Sequence, residues 1–394
     1  MAKLPLDGLR VIDLTLARAG PVAVRMLADW GAEVIRVEPP AKAGSQDITG
    51  QRFGSDAQNL HRNKKNISLN LKTARGYELF LQLVGSSDIL VENFRADVKN
   101  RLGIDYGTLK EKKTDLIYAS ISGFGQTGPY KDRPGVDQIV QGMSGLMSLT
   151  GDKDGPPTRV GIAISDTSAG MFLGQGILLA LIERGRTGRG QWVHTSLLES
   201  MINKLDFQAA RFTMSGEEPR REGNDHPTFS PMGVFEASDG LVNIAASTGK
   251  MFSAFCHVLG LNELLTDPRF QSSQDRARWR SELSALINAK TRQFNTVALV
   301  KELNAVGCPC GPIYSVKEAF DDPQTQHLAM VTEIEHLDLG TLGLVRSPIN
   351  LSNHTESSKN LTAAPRLGEH NDEIYQSLGL TLEEIQRCKE TEVI

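Results

Sequence analysis

The sequence predicts an α/β protein, a doubly wound parallel sheet with a smaller α+β region after it, and three observations carry that reading. Short β-branched runs alternate with helix-spaced segments as far as residue 122. A polar, turn-rich stretch at residues 211–227 (RFTMSGEEPRREGNDHP) breaks the pattern, and helical spacing dominates beyond it.

Residues 9–14 (LRVIDL) read as a first strand, residues 21–30 as a helix with Pro21 at its first position, and residues 32–37 (AEVIRV) as a second strand. Strand, helix and strand in so short a span make a βαβ unit. The unit recurs as a strand at 67–71, a helix at 74–85, a strand at 89–91 and a further strand at 116–122 (LIYASIS). Such sheets bind ligands beyond the carboxyl ends of their strands. The length of 394 residues favours two domains. Residues 1–205 form the large one. Residues 225–312 form the smaller α+β one, with a strand pair around Ser238-Asp239-Gly240 and helices at 281–290 and 295–306. Residues 313–394 mix helix, strand and loop signals without a clean boundary.

A net charge of -4 gives no general pull toward nucleic acid or anionic lipid, so an anionic ligand needs locally placed cations. The four cysteines, Cys256, Cys308, Cys310 and Cys388, lack metal-ligand spacing and read as reduced thiols of a cytoplasmic protein, with no metal expected. No leader segment and no run of about eighteen uncharged apolar residues is read, so no membrane partner is expected.

The first strand-to-helix turn, residues 15–21 (TLARAGP), has one glycine and no G-x-G-x-x-G, which disfavours a nicotinamide dehydrogenase although Glu38 closes the second strand. Arg18 in that turn is either a solvated cation or a paired-donor site for a carboxylate or phosphate. The run 61–65 (HRNKK) reads first as a solvated loop. Lys72, Asn93 and Arg101 each follow a strand in the half-sheet where a nucleotide lies and suit phosphates. Residues 123–129 (GFGQTGP) carry three glycines, a feature of ligand loops and of plain turns alike. Lone histidines His61, His194 and His226 read as incidental, and no Ser/His/Asp order or P-loop is present.

The stretch 161–170 (GIAISDTSAG) places Asp166 before a long apolar helix, residues 167–183, whose Ala169, Gly170, Gly174 and Gly176 permit close packing on a neighbouring helix. Asp166 reads as that helix's N-cap. An N-terminal position is expected to keep its pKa low and to offer free amides as oxyanion donors, both of which suit a carboxylate nucleophile.

Taken in order, LDGLRVIDLT at Leu6, AGPVAVRMLADWGAEVIRVEPP at Ala19, RNKKNISLNLK at Arg62, VENFRADV at Val91, IYASISGFGQTGPY at Ile117, SGLMSLTGDKDGPPTRVG at Ser144, the Asp166 stretch, RTGRGQWV at Arg186, DPRF at Asp267, GCPCGPI at Gly307 and APRLGEH at Ala364 resemble the class III coenzyme A transferases, the formyl-CoA and carnitine-CoA transferase group. The resemblance implies a Rossmann-like large domain built from the N-terminal half plus the C-terminal tail, an inserted small domain, and an interlocked-ring homodimer. It implies Asp166 as nucleophile, Asp137 as an acid beside it, and Leu69, Lys72, Asn93, Phe94 and Arg101 lining the coenzyme A site. Coenzyme A thioester is then a co-substrate, with no permanently bound cofactor. Arg18 stands where the formyl-CoA enzyme has glutamine, and Pro39 where it has an adenine-side arginine; its glycine-rich lid has no counterpart between Phe229 and Lys250. The guanidinium favours short dicarboxylic acids, with succinyl-CoA as donor and itaconate, mesaconate, citramalate or malate as acceptors. The same fold hosts 2-methylacyl-CoA racemases, which need a histidine where Val136 stands.

Overall fold

A computed structural model describes residues 3–40, 52–354 and 361–394. By its contacts the chain separates into two compact units, one of Met1–Leu146, Arg159–Glu217 and Ala329–Ile394, the other of Met147–Thr158 and Glu218–Leu328.

The first unit begins β1 (Arg10–Asp13), α1 (Ala19–Asp29), β2 (Glu33–Glu38), α2 (Ser55–His61), β3 (Lys64–Ser68), α3 (Ala74–Gly85), β4 (Ile89–Glu92), α4 (Ala96–Leu102), α5 (Tyr106–Lys112) and β5 (Ile117–Ser122). It goes on through α6 (Asp137–Met143), then, past the single turn α7 (Leu146–Leu149), of which Met147 onward belongs to the second unit, through α8 (Ile164–Thr187), β6 (Trp192–Ser196), α9 (Leu197–Lys204) and α10 (Phe207–Ser215). The strands form a parallel sheet in the order β3-β2-β1-β4-β5-β6, so the winding reverses between β1 and β4. That reversal opens a crevice at the carboxyl ends of β1 and β4.

Side-chain alternation builds a core on each face of the sheet. Ile12, Ile35, Leu90 and Tyr118 pack with α3 on one side, while their neighbours Val11, Val34, Ile89 and Ile117 pack with α1 and α8 on the other. Both faces are covered, so these strands read as continuous apolar runs.

The second unit holds the hairpin β7 (Met232–Glu236) and β8 (Leu241–Ala245), joined by β9 (Cys310–Pro312) into a three-stranded sheet. Helices α11 (Gly249–Leu259), α12 (Ser273–Arg278), α13 (Arg280–Thr291) and α14 (Thr296–Ala305) accompany it, followed by the short α15 (Val316–Asp321) and α16 (Pro323–His327). The hairpin occupies the stretch between Phe229 and Lys250. Burial pushes the Cys256 thiol up to about 12 and those of Cys308 and Cys310 up to about 11, which keeps all three protonated and inert.

The chain then returns to the first unit as the hairpin β10 (Val331–His336) and β11 (Gly340–Val345), then α17 (Asn371–Ser377) and α18 (Leu382–Glu390). Ile374, Tyr375 and Ile385 enter the same core as β3. Tyr375 donates its hydroxyl to the Ser68 carbonyl at 2.7 Å, tying the tail to the end of that strand.

Several expectations need correction. The third strand starts at Lys64, because the run 61–65 is not a solvated loop: Lys64 pairs with Asp13 at 2.8 Å, with both side chains fully buried, and Arg62 pairs with Asp29 at 2.7 Å. Opposite charges on β1 and α1 make that burial tolerable, and hydropathy alone does not reveal it. His61 is buried beside Lys64 rather than incidental, and burial followed by the neighbouring cations holds its pKa far below the usual value. Pro21 is the third helical residue of α1, still in the first turn where its missing N–H has no intrahelical partner. Residues 211–215, read as linker, finish α10. Helix α8 is also long and apolar enough by composition to cross a membrane, and its Ser165, Ala169, Leu173 and Ile177 are buried in this unit.

Helix α8 lies on α1 through its small residues. A Cβ at Gly170 would fall 2.6 Å from the Ala19 carbonyl oxygen, and one at Gly174 would fall 2.8 Å from Met26 Cε. Gly176 serves the strand β6 instead, since its Cβ would meet Val193. Gly170→Ala should therefore lower stability by about 1–3 kcal/mol in urea denaturation. Gly185→Ala on the same helix, with nothing within 4 Å of the new Cβ, should be neutral or mildly stabilising.

Candidate active site

Three of the residues singled out by the sequence converge where α1 and α8 begin. Arg18 stands at the N-cap position of α1 and Asp166 is the third residue of α8. Ala19 touches Gly170, one turn beyond Asp166 on the same helix face, so the close approach of the helices brings Arg18 next to Asp166.

Asp166 is not the cap of α8. That position belongs to Ala163, which gives no side-chain cap, and the capping carboxylate comes from another helix. Asp137, the first residue of α6 and only 8 % exposed, accepts the Ser165 backbone N–H at 2.9 Å. The reciprocal arrangement leaves Asp166 without the usual work of a first-turn acid. No hydrogen bond to its carboxylate is found among the described residues.

Gln141 completes this frame. It is fully buried and donates to Asp137 at 2.8 Å and to the Ile162 carbonyl at 3.2 Å, while its own carbonyl accepts from Val160 N–H at 2.9 Å. Arg159 adds a longer contact to Asp137 at 3.4 Å. The segment leading into α8 is thereby held on one side chain.

The charge state of Asp166 reverses the expectation of a low pKa. Burial and then the neighbouring Asp137 charge push it up to about 6, with Arg18 opposing. Desolvation outweighs the helix dipole here. The expected amide donors are also engaged: the N–H groups of Ile164, Ser165 and Thr167 bond to Ile162, Asp137 and Ala163. Helix α1, by contrast, has no side-chain cap and no acid in its first turn, so its electropositive end stands beside Asp166 uncompensated.

The turn that carries Arg18 is heavily pinned. Asp13 accepts both the Thr15 N–H at 2.9 Å and its hydroxyl at 2.6 Å. Asn93 brackets Leu16, accepting its N–H at 2.8 Å and donating to its carbonyl at 2.7 Å. The Asn93 amide is thus committed to joining the ends of β1 and β4. Gly20 is required by the close turn, since a Cβ there would lie 2.5 Å from Thr15 Cβ.

The other expected site residues flank this crevice. Leu69 is 2 % exposed in the core beyond β3, which leaves only its backbone for a ligand. Lys72 is exposed in the turn before α3, and Arg101 is exposed in the last turn of α4. Phe94 packs partly against the core, with its N–H on Glu92 at 2.8 Å. In the glycine loop, Gly125 and Gly128 take φ of +106° and +87°, and Gln126 accepts from Lys99 at 2.8 Å. Residues missed by the sequence reading are Asp56, Gln141 and Lys99. Lys99 sits on α4 in a buried ion pair with Glu92 at 3.0 Å, and nothing in its spacing announces it. His194, exposed, rests against Trp192, and His226 accepts the N–H groups of Thr228 and Phe229 as a turn former of the second unit.

A carboxylate destabilised as an anion implies a stability test. Native Asp166 holds its proton up to about 6, against an unperturbed 3.8, so the ionised form penalises the fold above that pH. Asp166→Asn should stabilise the protein at pH 7.5 by about 1–3 kcal/mol, the gain fading as pH falls from about 6 toward 3.8. Thermal melts across that range check the sign.

The family model described as CoA-transferase family III matches residues 6–371. A succinate–glutarate CoA-transferase of Agrobacterium fabrum is 37% identical over 95% of this chain and 96% of its own length. An acetyl-CoA:oxalate CoA-transferase of Acetobacter aceti is 37% identical over 93% of each. Among solved structures, a CAIB/BAIF family protein from Brucella suis is 35% identical with a TM-score of 0.81, covering 95% of this chain and 100% of that one.

Proposed function

Because the chain belongs to CoA-transferase family III, we propose that Asp166 is the nucleophile that carries coenzyme A between short dicarboxylic acids, through an aspartyl-CoA thioester. The observation that carries this reading is the Asp166 carboxylate itself, largely desolvated, with no hydrogen bond among the described residues, and within electrostatic reach of both Arg18 and Asp137.

The chemistry balances without a further reagent. An Asp166 oxygen attacks the thioester carbonyl, the C–S bond breaks, and a mixed anhydride and CoA thiolate result. The thiolate attacks the Asp166 carbonyl carbon and expels the donor acid as its carboxylate. The acceptor carboxylate then attacks the aspartyl thioester, and thiolate returns to the acceptor's acyl carbon, releasing Asp166. Carboxylates are weak nucleophiles, so a desolvated anion with a raised pKa is the more reactive one. Each tetrahedral intermediate carries an oxyanion, for which one preorganised donor is worth about 3 kcal/mol. The uncapped end of α1 and Arg18 supply positive charge at that place.

Arg18 supports the dicarboxylic preference, since its planar fork suits a second carboxylate on the bound acid. The glutarate- and oxalate-using relatives agree with that class. Lys72 and Arg101 offer cations for the phosphates of coenzyme A, with Leu69, Asn93 and Phe94 along the same crevice. A racemase reading lacks its second proton-transfer group, because Val136 precedes Asp137.

Incubation with succinyl-CoA and hydroxylamine, without acceptor, should place a hydroxamate on the Asp166 peptide, and Asp166→Asn should abolish both label and transfer. An unlabelled peptide at full turnover overturns the proposal. The rate should fall as pH drops through about 6, because the attacking form is the anion, and Asp137→Asn should move that limb to lower pH by removing a negative neighbour.

A homodimer is part of the same reading. Leu179 and Ile182 of α8 are 68% and 64% exposed, and Phe212 and Met214 of α10 are 53% and 86% exposed, apolar side chains that a partner subunit would cover. Light scattering should give twice the 43.0 kDa chain mass, and a monomer would remove this part.

A further inference from the structure

Arg18 is tethered, and the tether is as informative as the arginine. Its Nη2 lies 2.7 Å from Asp56 Oδ2, in the first turn of α2. Helix α2 is itself fixed to α1: Arg25 donates to Asn59 at 2.8 Å, and Arg62, next after α2, pairs with Asp29. Asp56 is therefore a fixed partner rather than a drifting surface acid. On the backbone side, Ala17 takes φ of +58°, a left-handed conformation unusual for a residue with a Cβ, held by the Asn93 bracket on Leu16. The guanidinium is aimed from its backbone and steadied from its tip.

A loose arginine here has an obvious alternative partner. Asp166 lies beside it with no hydrogen bond to its carboxylate among the described residues, so an untethered guanidinium would fold onto that carboxylate and turn away from the bound acid. Asp56 engages one nitrogen of a fork that has five donors. We propose that Asp56 is the positioning residue for acid specificity: it holds Arg18 off Asp166 and turns the rest of the fork toward the distal carboxylate of the bound dicarboxylic acid. This rests on the assignment of Asp166 and Arg18 to the acid site.

The test compares acceptors in the full-length protein, with succinyl-CoA as donor and short dicarboxylates against monocarboxylates of equal length. Asp56→Asn keeps shape and removes the charge at a side chain that is 38% exposed, so folding is retained. It should lower the dicarboxylate-to-monocarboxylate ratio of kcat/KM on the order of tenfold, the scale of one charge-assisted hydrogen bond. The loss should fall mainly on the KM for dicarboxylates. The acid limb of the pH profile should also move to lower pH, as the freed guanidinium pairs with Asp166. In an Arg18→Gln background, Asp56→Asn should change neither quantity. An unchanged ratio in the single variant, or the same change without Arg18, overturns the proposal while leaving Asp166 as nucleophile intact. Absence of transfer and of hydroxylamine label in the unsubstituted protein overturns both.

Discussion

The site depends on one van der Waals constraint, the approach of α8 to α1 at Gly170 and Ala19. With any side chain at Gly170 the helices must separate, because the obstructing atom is a backbone oxygen rather than the end of a flexible side chain. Their N-terminal ends meet at the crevice left where the sheet order reverses between β1 and β4. Arg18 enters from one helix and Asp166 from the other. Neither element of the pair has any reason to be near the other in sequence, and a parallel sheet with crossover helices supplies that reason.

Helix capping by proxy gives the second constraint. A first-turn aspartate ordinarily satisfies amide donors of its own helix. In α8 Asp137 does this from α6, with Gln141 holding the approach segment. Among the described residues Asp166 finds no stabilising hydrogen bond, it lacks full solvation, and the negative charge of its substitute cap lies close by. The elevated pKa follows from that exchange of duties. It also limits the effect: Arg18 pulls in the other direction, so the anion remains available near neutral pH.

The architecture of the large sheet was legible because its strands are buried on both faces and its helices are amphipathic. The α3 span, the place of α1 to within two residues, the turn at Asp239-Gly240 and the small-residue face of α8 follow from spacing alone. What escaped was electrostatic. The run 61–65 has the composition of a solvated loop, and only Asp13 and Asp29, some thirty to fifty positions earlier, explain why Lys64 and Arg62 are interior. Asp166 was visible as a lone acid before an apolar helix, but its cap lay 28 positions upstream, at Ser165's partner Asp137. Asp56 and Gln141 carry no local signature, since each acts through a partner chosen by the fold.

The contrast between Asp13 and Asp166 shows how the same side chain takes opposite roles in one unit. Burial alone would raise the pKa of either. For Asp13 that tendency is overcome by the Lys64 ammonium and the Thr15 hydroxyl, which hold the carboxyl below its ordinary value and make it a permanent structural anion. Asp166 has a carboxylate neighbour and, among the described residues, no hydrogen-bond donor, and Arg18 only partly offsets burial, so its charge remains a liability to the folded chain. A group that destabilises the fold as an anion would lose that strain on acylation, because the acyl derivative is neutral. Under the proposed chemistry, burial and charge placement already present before any substrate arrives would therefore favour forming the covalent intermediate.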